Sequence, residues 1–429
     1  MNELSILRNR RALALFGCLS LERIAFAALP VVRVVVAADV RGFGAAATIQ
    51  AVSVVAATVT APLRARILDR VGRQRVIVPQ TLLACMLLFL SGVTLITKSI
   101  SIIVVLLVTI AAAASSPSMD AVIRTLWRRI AMDDRQLKAL HSYDSILEEC
   151  GFLMGPALAS VLMIIAGPKV ALFVVIAAAA MGYGLTLLSH EVRAALGSRA
   201  PTPATDASAG ERPPKQGNLR RVARIVFGPI ADRELQRIVA PLIMMGGAFG
   251  VVGILAPAVC AGAGHISYTG FVLAAISVGG IVGAMCYNAA KIEWPLRVRH
   301  ALLGLVFGLP LLFSFLAVSP WLLGLLLAMG GLAVTPLYIN AYLMMDAEIP
   351  ADKIHEANTW VPVGNDVGYV IGITVGAALL HRVHLPNALF AITFFAFLLV
   401  AYSVYQLFTM ARGSSTHSAP RQTAADGVV

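Results

Sequence analysis

Residues 135–159 read RQLKALHSYDSILEECGFLMGPALA, and residues 352–376 read DKIHEANTWVPVGNDVGYVIGITVG. At this constant offset Gly151 meets Gly368, Gly155 meets Gly372, Tyr143 meets Trp360 and Glu149 meets Asp366. Each copy is the fifth of six apolar segments. The first set falls at roughly 11–38, 43–64, 76–97, 99–126, 140–166 and 168–189. The second falls at 238–262, 266–289, 298–318, 320–345, 355–381 and 386–411. Most of these are near the roughly 20 residues that cross about 30 Å of hydrocarbon as a helix. The sequence therefore predicts an all-α membrane protein of twelve transmembrane helices in two pseudo-symmetric six-helix bundles. Parallel repeats of this kind place a substrate site between the halves, near mid-depth.

The composition agrees. Of 429 residues, 59% are hydrophobic and 13% charged, too apolar for a chain that must cover its surface with polar groups. An outer-membrane barrel is disfavoured, because its strands alternate rather than run solidly apolar. The first apolar stretch, from about Ala12, is too long for the core of a secretion signal. The five cysteines, Cys18, Cys85, Cys150, Cys260 and Cys286, sit inside apolar runs and read as unpaired thiols in helix packing, with no metal site.

Charge distribution sets the expected topology. The segments on the N-terminal side of the membrane hold 28 of the 34 Lys and Arg residues. By the positive-inside rule both termini are cytoplasmic, and an inner membrane is expected. The net charge of +12 is thus a topology signal, and nothing points to nucleic acid. The predicted divisions are an N-terminal bundle over 1–190, a cytoplasmic linker over 191–237, a C-terminal bundle over 238–411 and a cytoplasmic tail over 412–429. The linker opens Pro-, Ala-, Ser- and Thr-rich, then mixes Arg220, Arg221 and Arg224 with Val222, Ile225 and Phe227. That second part suits a short helix on an anionic lipid surface.

The turn after the second segment reads Ala65-Arg-Ile-Leu-Asp69-Arg70-Val-Gly72-Arg73-Gln-Arg75. It resembles the loop signature of the major facilitator superfamily, Gly-x-Leu-Ala-Asp-Arg-x-Gly-Arg-Lys, matching at Asp69, Arg70, Gly72 and Arg73. Ala65 and Gln74 depart from it. The resemblance implies a gating loop that latches the halves, with Asp69 facing the start of the eleventh segment near Asn358. In the fifth segment, Gly151, Gly155 and Pro156 resemble the Gly-Pro signature of the drug/proton antiporters in that superfamily, with Ala159 and Ser160 where two glycines are usual. The stretch SSPSMDAVIRTLWRRI…DSILEECGFLMGP also resembles a bacterial efflux subgroup. Residues 104–114, VVLLVTIAAAA, lack the arginine that such antiporters carry in the fourth helix.

A charge at mid-bilayer costs about 2.5–3.5 kcal/mol on insertion scales, so ionisable residues there are functional candidates. The candidates for transport or coupling are Asp366, Glu149, Glu148, Asp144, Arg23 and Glu22. Asp144, Glu148, Gly151 and Gly155 share one stripe of the fifth segment. Arg23 is expected to pair with Glu149 or Glu148, since an unpaired arginine at that depth is costly. Asp366 has no cation in its own segment and follows Asn365, which favours a coupling role.

Enzyme chemistry finds no support. The chain has no GxxxxGK[ST] loop and no GxSxG elbow, and His190-Glu191 and His355-Glu356 are followed by Ala194 and Thr359 rather than histidine. No cofactor is expected. The reading is a monomeric secondary transporter working by alternating access, exporting a small cationic or amphipathic compound against protons, with membrane lipid as its surroundings. An importer on the same fold, or a sensor that binds without turnover, is the alternative.

Overall fold

A computed structural model of the chain describes residues 10–71, 73–117, 123, 127, 134–189, 192, 233–290, 293–349 and 354–417. Helices account for nearly all of them, because every backbone polar group within lipid must find its partner inside the segment. In chain order these are α1 Arg10–Arg41, α2 Phe43–Val71, α3 Arg73–Ile96, α4 Ile102–Ala114, α5 Asp134–Ala166, α6 Pro168–Leu188 and α7 Arg233–Gly262. They continue as α8 Thr269–Ala289, α9 Leu296–Leu311, α10 Pro320–Gly331, α11 Val334–Glu348, α12 Ile354–Arg382, α13 Leu385–Ala388 and α14 Phe390–His417. Nine stretches among the described residues are long and apolar enough to cross a membrane. α1, interrupted by Glu22, Arg23 and Arg33, is not among them, and α4 is shorter.

The breaks have local causes. Gly42, Gly167 and Gly264 take φ of 84°, 80° and 79° and turn the chain after α1, α5 and α7. Gly167 is followed by Pro168, whose missing N–H costs nothing at a helix start. The expected helix 99–126 instead ends at Ala114, before Ser115, Ser116 and Pro117. Ser115 Oγ donates to the Ala111 carbonyl there, Gln80 donates to Ser116, and Arg64 donates to Ala113. The expected helix 320–345 is two helices. Pro336 has no N–H for the Leu332 carbonyl, and α11 restarts after Ala333. α7 begins at Arg233 rather than near 238, and α14 runs past 412, since no proline intervenes before Pro420.

Each copy of the repeat packs against the first helix of its own set. A Cβ on Gly155 of α5 would lie 2.7 Å from the Ile24 carbonyl oxygen of α1. A Cβ on Gly372 of α12 would lie 2.0 Å from the Gly247 carbonyl oxygen of α7. These small residues let backbones touch where lipid provides no hydrophobic drive for association. α7 is the most enclosed span, with 72% of its apolar window buried. Two seams join the two sets, α5 with α8 and α2 with α12.

Arg41, at the end of α1, donates to the carbonyls of Thr94, Leu95, Thr97 and Ile100. It thereby neutralises the negative end of α3 and the turn that follows. Removing a charge-assisted hydrogen bond costs about 1.5–3 kcal/mol. Arg41→Ala should therefore lower the thermal midpoint of the purified protein by several degrees, and an unchanged midpoint would show that water replaces these bonds freely.

Candidate functional site

The α2–α12 seam carries the polar groups. Thr58 and Asp366 stand near the middle of their 29-residue helices. Thr58 Oγ1 donates to Asp366 Oδ2 at 3.0 Å, so one hydrogen bond ties the two sets together within the candidate spans Phe43–Ala61 and Trp360–Leu380. Tyr338 of α11 lies close enough to Asp366 to feel its charge. Beside it, Asn365 Oδ1 is buried with no hydrogen-bond partner among the described residues.

About one turn along α12 from Asp366, the Tyr369 hydroxyl hydrogen-bonds the side chain of Gln50 on α2. Gln50 is 3% exposed, and its Oε1 also accepts from the guanidinium of Arg33 on α1. α1, α2 and α12 thus bring together an arginine, an amide, a phenol, a threonine and a carboxylate. Among the described residues no other charge balances either ion by contact: Asp366 meets Thr58, and Arg33 meets Gln50 and Tyr369. A part-buried ion within a span is costly, which marks both as functional candidates.

Among the sequence-derived candidates, Asp366 falls in this seam. Arg23 and Glu148 lie elsewhere, on the α1–α5 contact, with Nη1 3.3 Å from Oε2. Glu148 is 57% exposed and Arg23 15%, so the pair is open on the acid side. Glu22 sits against α6, where a Cβ on Gly182 would come within 2.8 Å of its Cα. The side chains of Glu149 and Asp144 lie outside the described residues, as do Gly72 and the side chains of Asp69, Arg70 and Arg73 at the α2–α3 corner. If the ion pair supports the α1–α5 contact, Arg23→Glu and Glu148→Arg should each lower the thermal midpoint, and the double swap should recover at least half of the loss. Additive losses would show that the pair carries no coupling.

Gly151, Gly155 and Pro156 serve contacts. A Cβ on Gly151 would meet Arg23 at 3.1 Å, and one on Gly270 of α8 would meet the Pro156 carbonyl oxygen at 1.8 Å. Ser160 accepts a hydrogen bond from the Phe271 N–H at 3.2 Å, satisfying an early donor of α8 that has no partner within its helix. The motif therefore builds the α5–α8 seam, the counterpart of α2–α12.

Four residues of the seam escaped the sequence reading: Arg33, Gln50, Thr58 and Tyr369. Arg33 was visible as the one charge within VVRVVV, by the same rule that singled out Asp366. The other three carry no charge and no spacing signal, and gain meaning only from the contact with α12.

This bundle of apolar helices, with part-buried ions near the contact of its two sets, has counterparts among solved structures. Solved structures show which fold it is. A crystal structure of the nucleoside transporter NupG matches with a TM-score of 0.68 at 12% identity, over 94% of this chain and 98% of its own. The peptide transporter POT in complex with sulfate matches at 0.69 and 14%, over 96% and 98%. A POT family transporter in complex with 5-aminolevulinic acid matches at 0.65 and 15%, over 93% and 96%. The chain has the major facilitator fold that these transporters share. No family model and no curated protein sequence matches it.

Proposed function

We propose that this chain is a proton-coupled secondary transporter that exports a small organic compound by alternating access. The reading takes all twelve segments as spans, in bundles of residues 1–190 and 238–411, with both termini, 191–237 and 412–429 in the cytoplasm of an inner membrane. The charge asymmetry and the paired seams support this arrangement. The observation that carries the function is the bond from Thr58 to Asp366. It joins the two sets of helices through an ionisable group, so a proton on Asp366 and the opening of the seam act on one another. Coupling requires such a link, because a ligand shifts an equilibrium only by its difference in affinity for the two states.

Enclosing a charge is costly, so a proton or the cationic group of a substrate on Asp366 should favour closure of the seam around it, and loss of that partner should favour opening. Competition between the two for Asp366 gives antiport. Export follows from the resemblance of Gly151–Pro156 to the antiporter signature, and the crystallised neighbours named for nucleosides and peptides support a small polar solute. Asp69, Arg70, Gly72 and Arg73 form the gating latch in this reading. Purified protein in proteoliposomes with an acidic interior should concentrate a cationic probe such as ethidium while the lumen loses protons. Uptake driven only by the opposite gradient would make it an importer, and uptake of neither ethidium nor a zwitterion such as glycine betaine under either gradient would overturn transport.

A further inference from the structure

Arg33 is the less expected of the two ions in the seam. Guanidinium carries five N–H donors and is charged at any physiological pH. Among the described residues its one hydrogen bond goes to Gln50, its Nε is buried with no partner, and no carboxylate lies within ion-pair distance. Arg41 shows how this chain disposes of an arginine that serves structure, since it spreads its donors over four carbonyls at a helix end, and Arg64 Nη1 likewise reaches two, although Arg64 Nε is also buried without a partner among the described residues. Arg33 does not do so, because the α1 segment around it is fully helical and Val32, Val35 and Val36 are completely buried. On its other side Arg33 lines a small cavity inside the first set, walled by α1, α2, α3, α4 and α6, where Ser91 and Thr109 add two hydroxyls to an otherwise apolar wall.

We propose that Arg33 is the receptor for a carboxylate, and that the compound moved through the seam is a zwitterion with that carboxylate on Arg33 and its cation on Asp366. This rests on the seam being the transport site, and it names the substrate class. The geometry has three parts. The two ions are held apart, with Gln50 and Tyr369 between them, so neither cancels the other. Arg33 belongs to α1, while Asp366 and Tyr369 belong to α12. A solute bearing both charges therefore touches both sets of helices at once, which a single-charge solute does not. Finally, a planar guanidinium with unused donors recognises two oxygens in parallel, and its weak hydration lowers the cost of burying it.

The test uses the purified full chain in detergent, with thermal midpoints measured in choline chloride, glycine betaine, sodium acetate, sodium phosphate and sodium chloride at matched ionic strength. Choline and glycine betaine share a quaternary ammonium and differ in the carboxylate. Acetate and glycine betaine should each raise the midpoint saturably, glycine betaine at a concentration at least tenfold lower, while choline chloride and sodium chloride should not. Gln50→Glu places a carboxylate on Arg33 from within and should remove the response while leaving a folded, monodisperse protein. Arg33→Gln should also remove it. Asp366→Asn should keep the acetate response and lose the advantage of glycine betaine.

An equal response to chloride would make the site one for an inorganic anion and overturn the zwitterion. The same holds if phosphate acts and neither carboxylate does. No saturable response to any of these probes, or a response that survives in Gln50→Glu, would overturn the receptor itself. Should Arg33→Gln not fold, Gln50→Glu decides alone. Loss of pH-driven transport is a separate readout, so an acetate response in a chain that moves nothing would sink the coupling reading and keep the receptor.

Discussion

Asp366→Asn should abolish accumulation of substrate driven by a pH gradient, by at least tenfold, while leaving energy-independent exchange largely intact. The substitution is nearly isosteric. Thr58 can still donate to the amide oxygen, so the bond across the α2–α12 seam survives in form. What disappears is the ability to gain and lose a proton. If Asp366 couples, the variant behaves as though always neutral: both states remain accessible, substrate equilibrates, and the gradient no longer does work. Counterflow of a radiolabelled probe in proteoliposomes measures the exchange, and uptake under an imposed pH step measures the coupling. A variant that still concentrates substrate like the wild type would remove Asp366 from the mechanism. One that loses both activities while staying folded would make it a binding residue only.

The fold was legible in the sequence because its signals are local and repeated. Apolar runs of spanning length and basic residues on alternate turns are read within twenty residues. Gly151 with Gly155 and Gly368 with Gly372 mark two of the close helix contacts in advance, since only small residues let backbones meet there. Breaks within a run were less legible. The effect of Pro336 on Leu332 depends on which carbonyl loses its donor, and at that place Leu332 is met by α8, where a Cβ on Gly283 would lie 1.8 Å from its oxygen. The site was half legible. Asp366 announced itself by charge, whereas Thr58 lies 308 positions away and nothing in α2 sets it apart from Thr48 or Thr60. The choice between Glu148 and Glu149 for Arg23 needed about 100° of helix rotation to be known, and the described contact is with Glu148.

Gly368→Leu should remove folded protein from the membrane extract altogether, and Gly368→Ala should lower the thermal midpoint by several degrees. A Cβ at this position would lie 1.9 Å from the Ile243 carbonyl oxygen and 2.9 Å from the Gly247 nitrogen. Those atoms are backbone of α7, so no rotamer change relieves the clash and the helices must separate. Gly372 meets Gly247 in the same way one turn further on, and the displacement cannot be confined to one residue. Overpacking in a well-filled interior costs about 1–3 kcal/mol per site, and more when backbone must move. Separation of α7 and α12 would also carry Asp366 away from Thr58, so any Gly368→Ala protein that folds should lose coupling beyond its loss of stability. Gly151 is the mate of Gly368 in the repeat, yet a Cβ there meets the Arg23 side chain at 3.1 Å, and Gly151→Ala should be milder. Gly184, with nothing within 4 Å of an added Cβ, is the control. Fluorescence-detected size-exclusion chromatography of the four variants tests the order. A monodisperse Gly368→Leu peak at wild-type height would show that α7 and α12 are not held in this contact.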